Sequence, residues 1–204
     1  MVLVSCRNTK DKRRDNEKME GTKLANPGPL GLAGFGTTTI LLSIHNTGIF
    51  PLASSIMAMA VFYGGIAQIM AGIMEFKKGN TFGMTAFISY GSFWLTLVFI
   101  LIFKGLPENT PAFMGWYLFV WGLFTFFMWF GTFGRNRVLQ FVFLSLFVVY
   151  WLLAIGEWTA SPATSHTAGW IGIACGVAAF YLSMAEVINE NSGRTVLPIG
   201  APEA

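Results

Sequence analysis

The sequence predicts an all-α integral membrane protein with six transmembrane helices and both termini on the cytoplasmic side. Three observations carry that prediction. Of 204 residues, 54% are hydrophobic and only 11% are charged, whereas a soluble domain carries about a quarter charged residues. A soluble core of this size has no room for so much apolar surface. The charges lie in short clusters between long neutral runs, and six of those runs come near the roughly 20 residues that cross a hydrocarbon core.

The elements follow in order. Residues 1–25 are polar and charged, with the run "RNTKDKRRDNEKMEGTK", and are expected to form a disordered cytoplasmic tail. No apolar region follows these charges before the first span, so the tail does not read as a signal peptide. "LVSC" at Leu3–Cys6 has only two residues before it and is read as a chance match to a lipoprotein box. Met1 and Met19 are both available as starts.

The transmembrane domain is expected over residues 26–190. Its first span, Pro29–His45, is the shortest and least hydrophobic, and it opens on "NPGPLGLAGFG". Proline is tolerated in the first helical turn, where the amide has no intrahelical acceptor. Asn26 is therefore expected as the cap, satisfying the amide of Gly28, with Pro27 at the first helical position and Pro29 in the same turn. Gly31, Gly34 and Gly36 leave one face nearly bare, for a neighbouring helix or for a solute path. The next spans are Pro51–Met74, Phe82–Phe103, Pro111–Phe133, Val138–Ile155 and Ala168–Val187. The linkers "NTGIFP", "EFKKGN", "KGLPENTP", "GRNR" and "GEWTASPATSHTAG" hold the breaker residues, the last being the longest expected loop. A short cytoplasmic tail is expected over residues 191–204.

Lysine and arginine fix the orientation. With the N-terminus inside, the inner side holds seven in the tail, Lys77, Lys78, Arg135, Arg137 and Arg194, against Lys104 alone outside. The bias is twelve to one, or six to one from Met19. It places both termini in the cytoplasm and supports an even number of spans. The same clustering explains the net charge of +3 without nucleic acid as a partner.

No Lys, Arg or Asp lies inside a span, and Glu75 and Glu186 sit at inner ends where they are expected to reach water. Intramembrane ionisable residues are the usual mark of tightly coupled pumps. Cys6 and Cys175 form no framework, and no metal or nucleophile–base cluster is visible, so no enzyme, cofactor or metal site is expected. His45 and His166 read as interfacial side chains bonded to loops. Handles for a solute are then neutral: Thr37, Thr38 and Thr39 in the first span, Gln68 in the second, Ser89, Tyr90, Ser92 and Thr96 in the third, and Ser145 in the fifth. A lone Ser or Thr ordinarily bonds the carbonyl one turn back. A buried amide or phenol needs a partner beyond its own turn, which singles out Gln68 and Tyr90. The pairs Gly172 and Gly176, Ala60 and Gly64, and Ala67 and Ala71 read as small-residue helix contacts.

"NPGPLGL" followed by "GFGTTTILLSIHN" resembles the N-terminal motif of the acetate uptake transporter family, which includes bacterial succinate–acetate permeases and fungal ammonia/acetate-related proteins. The likeness runs on through "FYGGIAQIMAGIMEFKKGNTFGMTAFISYGSFWLTL" and "RVLQFVFLSL" to "MAEVINENSGRTVLPIG", from about Lys23 to Gly200. Gly28 stands where that motif often has alanine. The resemblance implies a helical bundle in the inner membrane, assembled as a homohexamer, each protomer with its own path. It implies acetate as the solute, succinate in some members, and protons as a possible co-substrate. It also implies an apolar constriction of a phenylalanine, a tyrosine and a leucine: Phe35 in "GFG", Tyr90 in "SYG" and Leu146 in "FLSL", with Leu144 the competing position. The motif residues Asn26, Pro27, Pro29 and Gly31 come with it. A channel and a proton-linked permease both fit, as do a pathway for ammonia or formate and an acetate-binding sensor.

Overall fold

The structure, a computed structural model, describes residues 24–102 and 109–200. The expected N-terminal tail up to residue 23, Lys104 and the last four residues lie outside that range. The described residues form six long helices: α1 (Gly28–Asn46), α2 (Ser54–Lys77), α3 (Thr81–Ile102), α4 (Pro111–Phe130), α5 (Arg137–Thr159) and α6 (Pro162–Ser192). Five of them, α2 to α6, are long and apolar enough to cross a membrane. The 19 residues of α1 span about 28 Å at 1.5 Å per residue. This helix is the least lipid-like because eleven of its residues are buried by protein.

Glycines set the spacing of α1 against its neighbours. A methyl group built on Gly36 would stand 2.8 Å from the carbonyl of Gly176 and 2.8 Å from the amide of Phe180, both in α6. Built on Gly34, it would stand 2.5 Å from the carbonyl of Tyr63 in α2. The bare face therefore serves backbone-to-backbone packing on two sides, and the α1–α6 interface is the most extensive in the bundle. Lipid offers no hydrophobic drive between helices, so such close approach supplies the contact. Neighbouring helices follow the order α3, α2, α1, α6, α5, α4, and side-chain contacts such as Tyr90 with Thr125 and Phe124 link α3 to α4.

Helix α2 holds a π-helical stretch, Ala60–Ala67, whose Gly64 leaves room for Thr38 and Trp94. The helix ends also depart from the expected positions. Pro27, not Asn26, is the capping residue of α1, and the helix proper starts at Gly28; Asn26 Oδ1 still accepts from the amide of Gly28 at 3.2 Å. The expected long loop after the fifth span shrinks to Ala160 and Ser161. Ala160 takes a left-handed conformation (φ 51°), Ser161 Oγ accepts from the amide of Thr164, and Pro162 begins α6. Hydropathy falls there, but capping chemistry decides where a helix stops, so α5 and α6 project beyond the apolar core.

The segment after α6 is ordered against the bundle. Asn189 Oδ1 accepts from the amides of Val196 and Leu197. The carbonyls of Ile199 and Gly200 accept from the amides of Val138 and Arg137, and Tyr181 donates to the carbonyl of Pro198.

Gly36→Val is expected to destabilise the protein by about 1–3 kcal/mol, since the added atoms meet backbone that cannot move aside. Gly134→Ala, with nothing within 4 Å, is expected to be neutral. Thermal melting of both variants in detergent checks the contrast.

Candidate functional site

Where α1, α2, α3, α5 and α6 converge, a cavity of about 250 Å³ opens at the end of the bundle that carries Lys78, Arg135 and Glu186. Its mouth is polar and is organised by two asparagines. Asn26 Oδ1 accepts from the Gly28 amide and from Lys78 Nζ at 3.0 Å, while Asn26 Nδ2 donates to Glu186 Oε2 at 3.3 Å. Asn80 Nδ2 donates to Glu75 Oε2 at 2.8 Å, and Asn80 Oδ1 accepts from the Gly83 amide and from Arg135 Nη2 at 3.3 Å. Arg135 also lies over the Phe82 ring, 4.4 Å from its centre.

Glycine makes the room for these carboxylates. A methyl group on Gly28 would lie 3.1 Å from Glu186 Oε2 and 3.7 Å from Glu75 Oε1, so both acids converge on the start of α1. One on Gly83 would lie 3.0 Å from the Glu75 carboxyl carbon. The expectation that Glu75 reaches bulk water is corrected here. Its residue is only 2% exposed, and it turns inward to the cavity wall.

Further in, the lining becomes apolar and the cavity meets Phe35, Tyr90 and Leu146. The rings of Phe35 and Tyr90 are 5.9 Å apart. Tyr90 also meets Phe124 at 5.5 Å and Phe143 at 6.0 Å, edge to face. Its hydroxyl donates to Thr125 Oγ1 at 3.0 Å, and Thr125 in turn donates to the carbonyl of Trp121 at 2.8 Å. Leu144 of the same "FLSL" motif is 39% exposed and absent from the lining. Gln68 joins the wall, buried, with its Oε1 lacking a hydrogen-bond partner.

The other polar residues singled out in the sequence lie outside this lining. Thr37 bonds the carbonyl of Ala33 in its own helix, and Ser92 and Ser145 bond back likewise. Thr38 reaches across to the carbonyl of Met59 in α2 at 3.4 Å. Thr39 Oγ1 is buried without a partner. Thr96, on the exposed side, pairs with Tyr117, and Ser89 is half-buried. Pro29 and Gly31 shape the start of α1: the Pro29 carbonyl accepts from Ser183 Oγ, and Gly31 leaves room for the Phe87 ring.

Five mouth residues were not singled out as solute contacts by the sequence: Glu75, Lys78, Asn80, Arg135 and Glu186. Lys78 and Arg135 served only to orient the chain, Glu75 and Glu186 were expected to reach water, and Asn80 fell in a linker. The available signal was their placement, since "EFKKGN" and "GRNR" both close the same cytoplasmic end. Among the described residues no group of three or more His, Cys, Asp or Glu is arranged to hold a metal ion.

Residues 11–201 match the GPR1/FUN34/yaaH family. Over 185 residues the chain is 63% identical to the succinate-acetate/proton symporter SatP of Escherichia coli (strain K12), covering 89% of this chain and 98% of that protein. It is 32% identical to acetate permease A of Emericella nidulans, over 90% of this chain and 68% of the permease. A solved structure of the bacterial acetate channel SatP superposes with a TM-score of 0.85 at 63% identity, covering 87% of this chain and all of that one. These relatives are transporters and channels rather than enzymes.

Asn80→Ala is expected to cost about 1–3 kcal/mol, because it strands the buried Glu75 carboxylate without its donor. Asn26→Ala should cost less, since Glu186 is only part-buried. Denaturation in detergent compares the two; equal losses would dissociate burial from the effect.

Proposed function

The chain belongs to the GPR1/FUN34/yaaH family, and we propose that it carries acetate and related short carboxylates, succinate among them, across the inner membrane. The observation that carries this reading is the cavity itself, which has charged residues at its mouth and Phe35, Tyr90 and Leu146 in its wall. Lys78 and Arg135 at the mouth favour arrival of an anion, and the neighbouring Glu75 and Glu186 keep it from binding too tightly to leave. Beyond them a bare carboxylate faces an apolar ring, and losing water without new hydrogen bonds costs several kcal/mol. That ring is the constriction, and Gln68 is the amide beside it.

Each protomer holds its own path in this reading, within an assembly of six copies. Thr37, Thr38, Thr39, Ser89 and Thr96 lie outside the described cavity, and any contact with solute would fall elsewhere along the route. The names of the relatives, a proton symporter and a channel, mark the two modes of transit. Both use the same constriction.

Purified protein in liposomes, with labelled acetate and internal pH followed together, separates them. Accumulation driven by an imposed proton gradient, above that of empty liposomes and abolished by an uncoupler, marks proton-linked transport. Flux that only dissipates the acetate gradient marks a channel. Phe35→Ala removes the ring that faces Tyr90 and is expected to raise succinate flux relative to acetate several-fold; an unchanged ratio would remove Phe35 from the constriction.

A further inference from the structure

The geometry points to Thr125 of α4 as the positioning residue that holds the constriction's only hydroxyl away from the solute. This rests on the reading of Phe35, Tyr90 and Leu146 as the constriction. A hydroxyl has one hydrogen to give. Thr125 gives its own to the carbonyl of Trp121, one turn back in α4, at 2.8 Å. It can therefore only accept from Tyr90, whose single hydroxyl hydrogen is committed to it at 3.0 Å. Tyr90 then shows the cavity aromatic edge and a lone pair.

A carboxylate anion carries acceptors alone, so it gains nothing from Tyr90 in this arrangement. Transit of the anion requires the Tyr90 hydroxyl to leave Thr125 and turn to the solute. The Tyr90–Thr125 bond is thus a latch on the constriction, anchored in α4, a helix that contributes nothing to the cavity lining. Burial sharpens the effect. Thr125 is 0% exposed and outside the cavity lining, so no bulk water takes the place of Tyr90 at its Oγ1 when the bond breaks. The placement is also singular: besides Tyr117, Thr125 is the only hydroxyl residue in α4, and both pair with α3.

The test measures labelled acetate uptake into liposomes at equal pH on both sides, with empty-liposome uptake subtracted. Thr125→Val keeps the shape and removes the acceptor. It is expected to raise the initial rate about two- to tenfold, the range that one net hydrogen bond spans. Thr125→Ser restores the bond and should return the rate to that of the starting protein. The double variant Tyr90→Phe with Thr125→Val should match Tyr90→Phe alone, because without the phenol hydroxyl there is nothing to release. If Thr125→Val does not reconstitute, Thr125→Ala carries the same expectation.

A rate at or below that of the starting protein in the Val or Ala variant would overturn the latch. So would an increase that persists in the Tyr90→Phe background, which would assign it to packing. Absence of any protein-dependent acetate uptake in the starting protein would overturn the transport reading, and the latch with it.

Discussion

The contact on which the rest depends is the backbone approach of α1 to α6, at Gly36 and Gly176. In a bilayer, apolar side chains gain little by exchanging lipid for protein, so helix order must come from shape and from polar bonds. Removing side chains from the meeting surface lets α1 sit in the middle of the bundle rather than on its rim. That position brings Asn26 to the cavity mouth and Phe35 to its inner end. It also explains how a helix so rich in glycine and threonine persists: its surroundings are mostly protein.

Among the described residues, buried polar side chains are nearly all committed. The two asparagines at the mouth each serve three partners, tying the start of α1 to α2 and α6, and the start of α3 to Glu75 and Arg135. Such hubs fix the side chains without adding net charge. Deeper in, the Tyr90, Thr125 and Trp121 chain spends each donor on the next acceptor. Commitment fails at Thr39 Oγ1, Trp94 Nε1 and Gln68 Oε1, and the last is a free acceptor on a side chain of the cavity wall.

Much of this was legible in the amino-acid order, for physical reasons. Hydropathy and the lysine and arginine bias located the spans and their direction, because the hydrocarbon core imposes both. The bond from the Gly28 amide to Asn26 was readable, since proline at a helix start leaves few amides to satisfy. The short turn at Ala160 and Ser161 was not, because a falling hydropathy mimics a loop while Ser161 and Pro162 in fact start a helix. Glu75 was misjudged for a related reason. Position along a span predicts depth in the membrane, but burial depends on what the facing helix leaves open, here Gly28 and Gly83. Thr125 was overlooked inside an aromatic run, where only its cross-helix partner gives it meaning.

The π-helical stretch of α2 has a bearing on how such a chain tolerates change in length. Wider turns accommodate an extra residue within an otherwise regular helix, and they are common at functional sites. Each residue of an α-helix turns the chain by about 100°, so the residues beyond Ala67 face where they do only because the winding before them is wide. Tightening Ala60–Ala67 to regular α-helical winding with every residue kept would rotate Gln68 and Glu75 together off the cavity wall. Deleting one residue would instead let the stretch tighten and leave both facing it. The stretch thus takes up one residue that regular winding could not, and it acts as the phase setting of the whole inner half of α2.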